Sequence, residues 1–317
     1  MNPRNNVSAV IPVRNGAFWI PQFLEKVIPN FHSNDEIIFI DDSSEDETMS
    51  LLKSAQSRYS NLFVVTNPAK GIVSALNFGI SQATHDLIAR FDIDDLYSNL
   101  RIDTQINSIG ENHGACFADY SFYGNGIINL GYVASAVYPI ATKLSLFKSQ
   151  RTAHSSALFR KQVFIEAGGY LEEEFPAEDL GLWVRMAKIA TLVTAPEELL
   201  FYNLRTNSTS SERRVSAFHK KDLIVKKNLN LFENVIRDFK MLIEEYQSYN
   251  LHSHSFERKF HLLREILGVN QELSLQRKHI KWLSIEFTRL AIKSESFKEL
   301  VLLNHFRRKR NDFRKRL

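Results

Sequence analysis

The sequence predicts an α/β protein in which a doubly wound, mostly parallel sheet is followed by a C-terminal helical region. Two observations support this fold class. In the first half of the chain, short apolar runs typical of β-strands alternate with segments of helical spacing, which implies βαβ crossovers. After about residue 215 the strand signals stop, and the remaining residues contain few glycines and no proline. We therefore expect one domain over residues 1–213 and a helical region over residues 214–317.

Four runs rich in Val, Ile and Phe predict the parallel strands, namely VSAVIPV from Val7, EIIFID from Glu36, LFVVT from Leu62 and DLIARFD from Asp86. The segments FWIPQFLEKVI and GIVSALNFGISQA between them predict helices. Further on, ACFADYSFYGNGIINLGYV predicts a hairpin and ELLFYNLRTN another strand. Ligands of doubly wound sheets bind beyond the carboxyl ends of the strands, so polar residues at those ends are the first candidates for a site.

Composition and charge narrow the class of protein. A content of 44% hydrophobic and 24% charged residues is typical of a globular chain, and a single cysteine excludes an internal disulfide framework. We expect neither a signal peptide nor a transmembrane segment. The segment from Phe306 carries seven basic residues and one acid, a net +6, while the whole chain has +4. The basicity thus belongs to one end, which does not suit a general nucleic-acid binder.

The segment FIDDSSEDET ends the second predicted strand with Asp41 and Asp42 and continues into a helix start. We expect Ser43 or Ser44 to open that helix, with the acids of residues 45–47 in its first turn, where caps and negative charges are favourable. A helix start does not require the two aspartates that precede it. A cap and a ligand site therefore stay open as interpretations of this segment.

The segment ARFDIDDL places three carboxylates, Asp92, Asp94 and Asp95, within four residues after an apolar run. Two acids that alternate around one residue can converge on a divalent cation. Mg²⁺ or Mn²⁺ takes one or two protein carboxylates and fills its other positions with water and phosphate, so a diphosphate ligand is the natural partner. An acidic loop that caps the next helix, near Tyr97 and Ser98, is the alternative interpretation.

The segment PAEDLGLWVRMA predicts a helix that begins near Glu178 and Asp179 and buries Leu180 and Trp183. Acids in a first turn are expected from the helix dipole alone. A carboxylate beside a Trp-bearing apolar face can also serve as a general base. Both interpretations stay open.

Three other polar residues stand out less clearly. Arg205 lies in the polar string YNLRTNSTS, which is typical of a loop that closes a domain. Lys70, before Gly71, and His154, in RTAHSSALFRK, are by themselves typical of surface or structural positions.

Taken together, these segments resemble glycosyltransferase family 2 of the GT-A fold. The resemblance covers roughly residues 6–210 and rests on five motifs in the family's order, VSAVIPVRNG, IIFIDDSSEDET, NPAKGIVSALNFGISQATHDLIARFDIDDL, HSSALFRKQVFIEAGGY and EDLGLW. It implies a GT-A-type sheet with a Rossmann-like nucleotide-binding half. It also implies an inverting hexosyl or N-acetylhexosaminyl transfer from a nucleotide-sugar, with Mn²⁺ or Mg²⁺ as cofactor.

The resemblance implies roles for individual residues on the donor side. Asp42 would accept the uracil N3–H, so a UDP-sugar is the expected donor, although thymine offers the same donor group. Asp94 would be the direct metal ligand, with Asp92 beside it. The residues that would line the nucleotide are Pro12, Val13, Asn15, Asp42, Lys70 and Asp92.

On the acceptor side, the resemblance implies that Asp179 removes the proton of the acceptor hydroxyl and that Glu178 positions the acceptor. Further candidates for a contact with the acceptor or the diphosphate are His154, Trp183 and Arg205. Many family members have Arg, Pro and His at three positions where this sequence has Leu76, Ser98 and Arg205.

The helical region lies outside the resemblance. We interpret it as helices that pack on the catalytic domain or pair two subunits as a homodimer. The basic segment from Phe306 suits an anionic membrane surface, and no nucleic-acid partner is expected. The expected location is therefore the cytoplasm, with peripheral attachment to the inner face of the membrane. A solvated terminal tail is the alternative interpretation of this segment.

The expected acceptor is a carbohydrate or a lipid-linked glycan in polysaccharide or glycolipid synthesis of the cell envelope, and the sequence does not specify the sugar. A non-catalytic nucleotide-sugar-binding or scaffold subunit of a glycan assembly system is the alternative. A nucleotidyltransferase ranks last, because the loop PVRNGAFW lacks a glycine-rich phosphate-binding pattern.

Overall fold

The computed structural model describes residues 4–124, 127–133, 142–143, 146, 152–204 and 214–231. All of them belong to one compact unit, Met1–Gly268. Arg205, most of the helical region and the basic segment from Phe306 lie outside the described residues. None of the helices in the described part of the chain combines the length and the hydrophobicity needed to cross a lipid bilayer.

The described strands form one mixed sheet of nine strands. The strands are β1 (Val7–Val13), β2 (Glu36–Asp41), β3 (Leu62–Thr66), β4 (Leu87–Arg90), β5 (Leu96–Tyr97), β6 (Ala115–Gly124), β7 (Ile127–Val133), β8 (Leu158–Arg160) and β9 (Leu192–Asn203). The first part of the sheet is parallel in the order β3-β2-β1-β4. The sheet continues through β8, β6, β9 and β5, with β7 paired to β6. β8 runs antiparallel to both β4 and β6, whereas β6 and β9 are parallel.

Helices cover both faces of the sheet, because β1 and β2 are apolar on both faces. The α-helices of the described residues are α1 (Ile20–Lys26), α2 (Thr48–Gln56), α3 (Ile72–Gln82), α4 (Arg101–Ile109), α5 (Lys161–Glu166), α6 (Glu178–Ile189) and α7 (Arg214–Lys227). Val7, Ala9 and Ile11 pack in one core with α1, α2 and α4, while Val10 packs in a second core with α3 and α6.

The close approach of α3 to the sheet depends on a glycine. A Cβ atom on Gly79 would lie 2.5 Å from Cδ1 of Ile40 and 3.0 Å from Cγ1 of Val10. Only a residue without a side chain fits this contact, and α3 is thereby held flat against β1 and β2.

The doubly wound, mostly parallel prediction is confirmed. The four predicted parallel strands are present, although the fourth ends at Arg90 rather than Asp92. The predicted hairpin is β6–β7, with residues 125–126 of its turn outside the described part. The predicted helix at Glu178 is α6, and α7 confirms helical structure directly after residue 213. The division into two domains stays a prediction.

One predicted helix start is wrong. The structure begins α2 at Thr48, so residues 43–47 form a loop rather than a cap and first turn. The carboxylate of Asp46 accepts hydrogen bonds from the N–H of Thr48 at 3.0 Å and from the N–H of Ala17 at 3.1 Å. This loop is therefore shaped by contacts to the segment after β1, which a local capping pattern does not reveal.

Candidate active site

The parallel strands bring polar loops to one edge of the sheet. β2, β1 and β4 are neighbours, and the segments that follow them begin at Asp42, Arg14 and Phe91. Because β1 lies between β2 and β4 and adjacent strands lie about 5 Å apart, the loops after β2 and β4 are two strand spacings apart at this edge. This edge is the position at which doubly wound sheets bind their ligands.

Asp42 is buried and held by donors from the segment after β3. Its Oδ1 accepts hydrogen bonds from Nδ2 of Asn67 at 2.7 Å and from the N–H of Gly71 at 3.0 Å. Its own N–H donates to the carbonyl of Val13 at 2.8 Å, which extends the β1–β2 ladder by one residue. The N–H of Gly71 is shared with Oδ2 at 3.1 Å, so these contacts fix the carboxylate at the end of β2 and leave one lone pair of Oδ2 for a further donor.

The other residues predicted to line the nucleotide differ in exposure. Pro12 and Val13 are buried within β1, and Lys70 is exposed. Asn15 is exposed and has a φ of 50°, a left-handed conformation that Asn tolerates well. Its N–H donates to Oγ of Ser44 at 2.9 Å, so it joins the loops that follow β1 and β2.

Asp92 begins the acidic loop after β4 and is paired with Arg90. The carboxylate of Asp92 forms an ion pair with the guanidinium of Arg90, a residue that is 4% exposed. The N–H of Asp92 donates to the hydroxyl of Tyr97 at 2.7 Å, and that hydroxyl donates back to the carbonyl of Asp92 at 3.0 Å. The Asp92 carboxylate is nevertheless 30% exposed at its side chain, so it can also reach a ligand.

Asp94 and Asp95 occupy different environments. Asp94 is partly exposed, and its carbonyl accepts hydrogen bonds from the hydroxyl of Tyr123 at 2.8 Å and from Nδ2 of Asn203 at 3.1 Å. Asp95 is 3% exposed, and its carboxylate accepts from Oγ of Ser155 at 2.6 Å and from the N–H of Asn203 at 2.8 Å. Neither acid caps α4, so the capping alternative does not describe this loop.

The three acids of this loop interact electrostatically. Burial raises the pKa of Asp95 well above its usual value, and the charges of Asp92 and Asp94 raise it further. In the part of the chain that the structure describes, no three His, Cys, Asp or Glu side chains form a closed metal-binding group. The oxygen donors present are two partly exposed carboxylates, which fit a Mg²⁺-type ion that takes its remaining ligands from phosphate and water.

Glu178 and Asp179 stand in the first turn of α6. Burial and the charge of Asp179 raise the pKa of Glu178 to about 7, although Arg90 and Lys221 act in the opposite direction. Asp179 is more exposed, and its Oδ1 accepts a hydrogen bond from the N–H of Leu180 at 2.7 Å. The two neighbouring carboxylates therefore differ in environment, and Glu178 is the one that holds a proton near neutral pH.

Tyr170 is a buried residue beside His154. Its hydroxyl lies 2.7 Å from Nε2 of His154. Burial raises the pKa of Tyr170, and the charges of Glu178, Asp179 and Asp92 add to the shift while Arg90 opposes it. The ring of His154 also packs against Trp183 of α6 at 6.0 Å between centroids, so this pair lies beside the helix that begins with Glu178.

His154 is partly buried, whereas Trp183 lies in the core. Burial and the charge of Arg90 lower the pKa of His154 well below its usual value, so its ring is neutral. Trp183 is fully buried and packs edge-on against Phe117 at 5.0 Å between ring centroids. Trp183 therefore belongs to the core and presents no surface to an acceptor. Arg205 lies outside the described residues.

Sequence reasoning missed three residues that organise this site. They are Asn67, which holds Asp42; Tyr170, which contacts His154; and Asn203, which holds Asp94 and Asp95. Asn67 and Asn203 lie far along the chain from the acids that they hold, whereas Tyr170 and His154 stand at the two ends of one motif. The positions of Asn67 and Asn203 at the ends of predicted strands are a signal that could have identified them.

Comparison with known proteins shows the family to which this chain belongs. The family described as glycosyl transferase family 2 matches residues 8–168, which is half of the chain. AmsE of Erwinia amylovora, an amylovoran biosynthesis glycosyltransferase, is 27% identical over 61% of this chain and 74% of its own. A UDP-Gal:alpha-D-GlcNAc-diphosphoundecaprenol beta-1,3-galactosyltransferase of Escherichia coli is 25% identical over 58% of this chain and 67% of its own.

Two solved structures show the same fold. S. aureus TarS 1-349 in complex with UDP-GlcNAc has a TM-score of 0.57 at 15% identity, over 96% of this chain and 88% of TarS. The mannosyltransferase PcManGT of Pyrobaculum calidifontis, in complex with GDP-Man and Mn²⁺, has a TM-score of 0.57 at 15% identity, over 96% of this chain and 85% of PcManGT. The GT-A-type prediction is thereby confirmed.

Proposed function

This chain belongs to glycosyltransferase family 2, and we propose that it is an inverting enzyme that moves a sugar from a UDP-sugar to an acceptor hydroxyl. The observation that carries the proposal is the convergence of two acidic motifs. Oγ of Ser155 donates to Asp95 of the loop after β4 at 2.6 Å. The ring of the neighbouring His154 packs against Trp183 of α6, the helix that begins with Glu178 and Asp179, at 6.0 Å between centroids. The acids of the loop after β4 can thus act on the leaving diphosphate, through a bound cation. The acids at the start of α6 can act on the attacking hydroxyl.

On the donor side, Asp42 receives the N3–H of the uracil. Asn67 and Gly71 donate hydrogen bonds to its Oδ1, so the carboxylate keeps one orientation. The carboxylate can therefore bind the uracil without first changing its conformation. A UDP-sugar is further supported by two similar proteins, TarS in complex with UDP-GlcNAc and the E. coli enzyme named for UDP-Gal. We infer a hexose or an N-acetylhexosamine as the transferred sugar.

Asp94, with Asp92 beside it, would hold a divalent cation together with the donor diphosphate. Two partly exposed carboxylates next to a buried third one suit Mn²⁺ or Mg²⁺. When bound, the ion supplies positive charge to the diphosphate as it leaves the sugar. The Mn²⁺ complex of PcManGT supports this cofactor.

On the acceptor side, Asp179 removes the proton of the acceptor hydroxyl. As the proton leaves, the oxygen of that hydroxyl forms a bond to the anomeric carbon of the donor sugar. The bond between that carbon and the diphosphate breaks on the opposite face, so the configuration inverts. Glu178, which is protonated near neutral pH, donates a hydrogen bond to the acceptor and leaves Asp179 as the base. The two neighbouring acids can divide these roles because they differ in burial.

The acceptor belongs, in this proposal, to polysaccharide or glycolipid synthesis of the cell envelope. The name of the similar AmsE, amylovoran biosynthesis glycosyltransferase, supports a polysaccharide. The name of the E. coli relative contains a diphosphoundecaprenol-linked sugar and supports a lipid-linked acceptor.

The test is the release of UDP from a panel of UDP-sugars, with and without candidate acceptors. Wild type should release UDP with at least one donor. Asp179→Asn should lower turnover by about 10³-fold or more, because a missing base leaves the hydroxyl protonated. UDP binding should stay within about twofold of wild type, since the base does not contact the nucleotide. Asp103→Asn, which changes an exposed acid on α4, is the matched control.

Two results would contradict the proposal. Full turnover by Asp179→Asn would remove Asp179 from the role of base. Nucleotide binding by wild type with no turnover of any donor would instead support the non-catalytic alternative.

We also propose that the basic segment of residues 306–317 contacts an anionic membrane surface. Each basic residue near such a surface contributes about 1 kcal/mol, so a net charge of +6 is sufficient for reversible attachment. The full chain should co-sediment with vesicles that contain phosphatidylglycerol at low salt and be released at high salt. Equal sedimentation after replacement of the seven basic residues by Gln would contradict the proposal.

A further inference from the structure

The end of the β6–β9 ladder presents two hydrogen-bond donors to one carbonyl. Tyr123 and Asn203 are paired in the register of β6 and β9, and the N–H of Leu204 donates to the carbonyl of Tyr123 at 2.8 Å. From these paired positions, the hydroxyl of Tyr123 and Nδ2 of Asn203 both donate to the carbonyl of Asp94, at 2.8 Å and 3.1 Å. A carbonyl has two lone pairs, so both donors can be accepted together.

Asn203 holds the acidic loop at a second point. Its N–H donates to Oδ1 of Asp95 at 2.8 Å, while Oγ of Ser155 donates to Oδ2 at 2.6 Å. Asn203 is 7% exposed and Asp95 is 3% exposed, so water competes little with these bonds. Asp94 and Asp95 share one peptide group. This peptide group is restrained on one side through the carbonyl of Asp94 and on the other through the carboxylate of Asp95.

A fixed peptide plane limits the directions that the Cα–Cβ bond of Asp94 can take. Earlier in the loop, the hydroxyl of Tyr97 restrains the backbone of Asp92. The carbonyl of Asp94 is instead restrained by side chains of β6 and β9. The N–H of Asp95 adds one long bond within the loop, 3.4 Å to the carbonyl of Asp92.

We propose that Asn203 is a positioning residue that, together with Tyr123, orients Asp94 toward the metal-bound diphosphate of the donor. The inference rests on the proposed function, because it deepens the role given to Asp94 there. Asn203 acts from the last residue of β9, 109 positions along the chain from Asp94. Its side-chain amide and its N–H both bind the acidic loop, so its role in this proposal is to position Asp94.

The test compares Asn203→Leu, which keeps the volume and removes the side-chain donor, with Tyr123→Phe, which removes only a hydroxyl. Each variant should weaken Mn²⁺-dependent binding of UDP about three- to tenfold, the usual effect of one hydrogen bond. In the ligand-free protein, the amide hydrogen of Asp95 should exchange faster in both variants. Asn30→Leu is the matched control, because Nδ2 of Asn30 also donates to a backbone carbonyl, that of Lys26 at 3.1 Å.

The outcomes separate this inference from the proposed function. Variants that melt at a lower temperature but keep the wild-type affinity for UDP with Mn²⁺ would show a merely structural role and overturn the inference. A wild type that binds neither UDP nor another nucleotide with Mn²⁺ would overturn the proposed function. In that case the exchange of the Asp95 amide still decides whether Asn203 holds the loop, and unchanged exchange in Asn203→Leu overturns the inference as well.

Discussion

Three carboxylates stand within four residues after β4, and each is held by a different set of groups. Asp92 is paired with buried Arg90, Asp94 is restrained through its carbonyl, and Asp95 is buried against Ser155 and Asn203. Like charges this close repel, and the structure offsets that repulsion with an ion pair and hydrogen bonds. The two partly exposed acids stay available to a ligand, while the buried one fixes the loop.

Glu178 gives a prediction about pH at the residue scale. The pKa of Glu178 in the folded protein is about 7, above its ordinary 4.5. Its contribution to stability is therefore fully present below pH 4.5 and is lost as the pH rises through 7. Gln does not titrate, so Glu178→Gln should gain about 3 kcal/mol in unfolding free energy relative to wild type between pH 4 and pH 8.

Urea unfolding of both proteins over that pH range checks this prediction. Glu172→Gln, which replaces an exposed acid just before α6, should keep the pH dependence of wild type. A constant difference between Glu178→Gln and wild type at all pH values would show that Glu178 titrates normally.

At the scale of elements, α3 packs closely where it crosses the parallel strands at Gly79. This contact brings the start of α3, with Gly71, against Asp42 at the end of β2. The helix that covers one face of the sheet thus also supplies a donor to the nucleotide side of the site.

Gly79→Ala tests this packing at the scale of elements. Alanine favours a helix by about 1 kcal/mol over glycine, but here its Cβ would lie 2.5 Å from Cδ1 of Ile40. Overpacking of this kind costs about 1–3 kcal/mol, so the variant should be less stable than wild type by up to about 2 kcal/mol. Ser81→Ala, on the exposed face of the same helix, should change stability by less than about 0.5 kcal/mol. A stabilised Gly79→Ala in chemical denaturation would contradict the close contact.

For the molecule as a whole, the features that depend on a local sequence pattern are the ones that the sequence predicts correctly. The alternation of Val-rich and helical segments predicts the doubly wound sheet, and the acids at strand ends predict that Asp42, Asp92 and Asp94 share one edge. The loop over residues 43–47 is misread as a helix start because Asp46 is engaged by Ala17, a residue 29 positions away. A capping pattern cannot include that contact.

Long-range contacts explain the rest of what the sequence did not reveal. Asn203 reaches Asp94 over 109 positions, and Asn77 reaches Tyr170 over 93 positions. Such pairs are brought together only by the pairing of β9 with β6 and by the crossing of α3 near α5. Interior roles such as that of Trp183 likewise depend on which helix faces cover the sheet, and a motif alone does not specify them.

We propose that Asp94 binds a divalent cation together with the diphosphate of a nucleotide, at the edge of the sheet where Asp42 follows β2. Isothermal titration of UDP into wild type and Asp94→Ala, each with and without Mn²⁺, tests this claim most directly. We expect Mn²⁺ to strengthen binding to wild type by at least about tenfold and to have little effect on Asp94→Ala. Equal affinity of the two proteins in the presence of Mn²⁺, or no binding of UDP by wild type, would contradict the account.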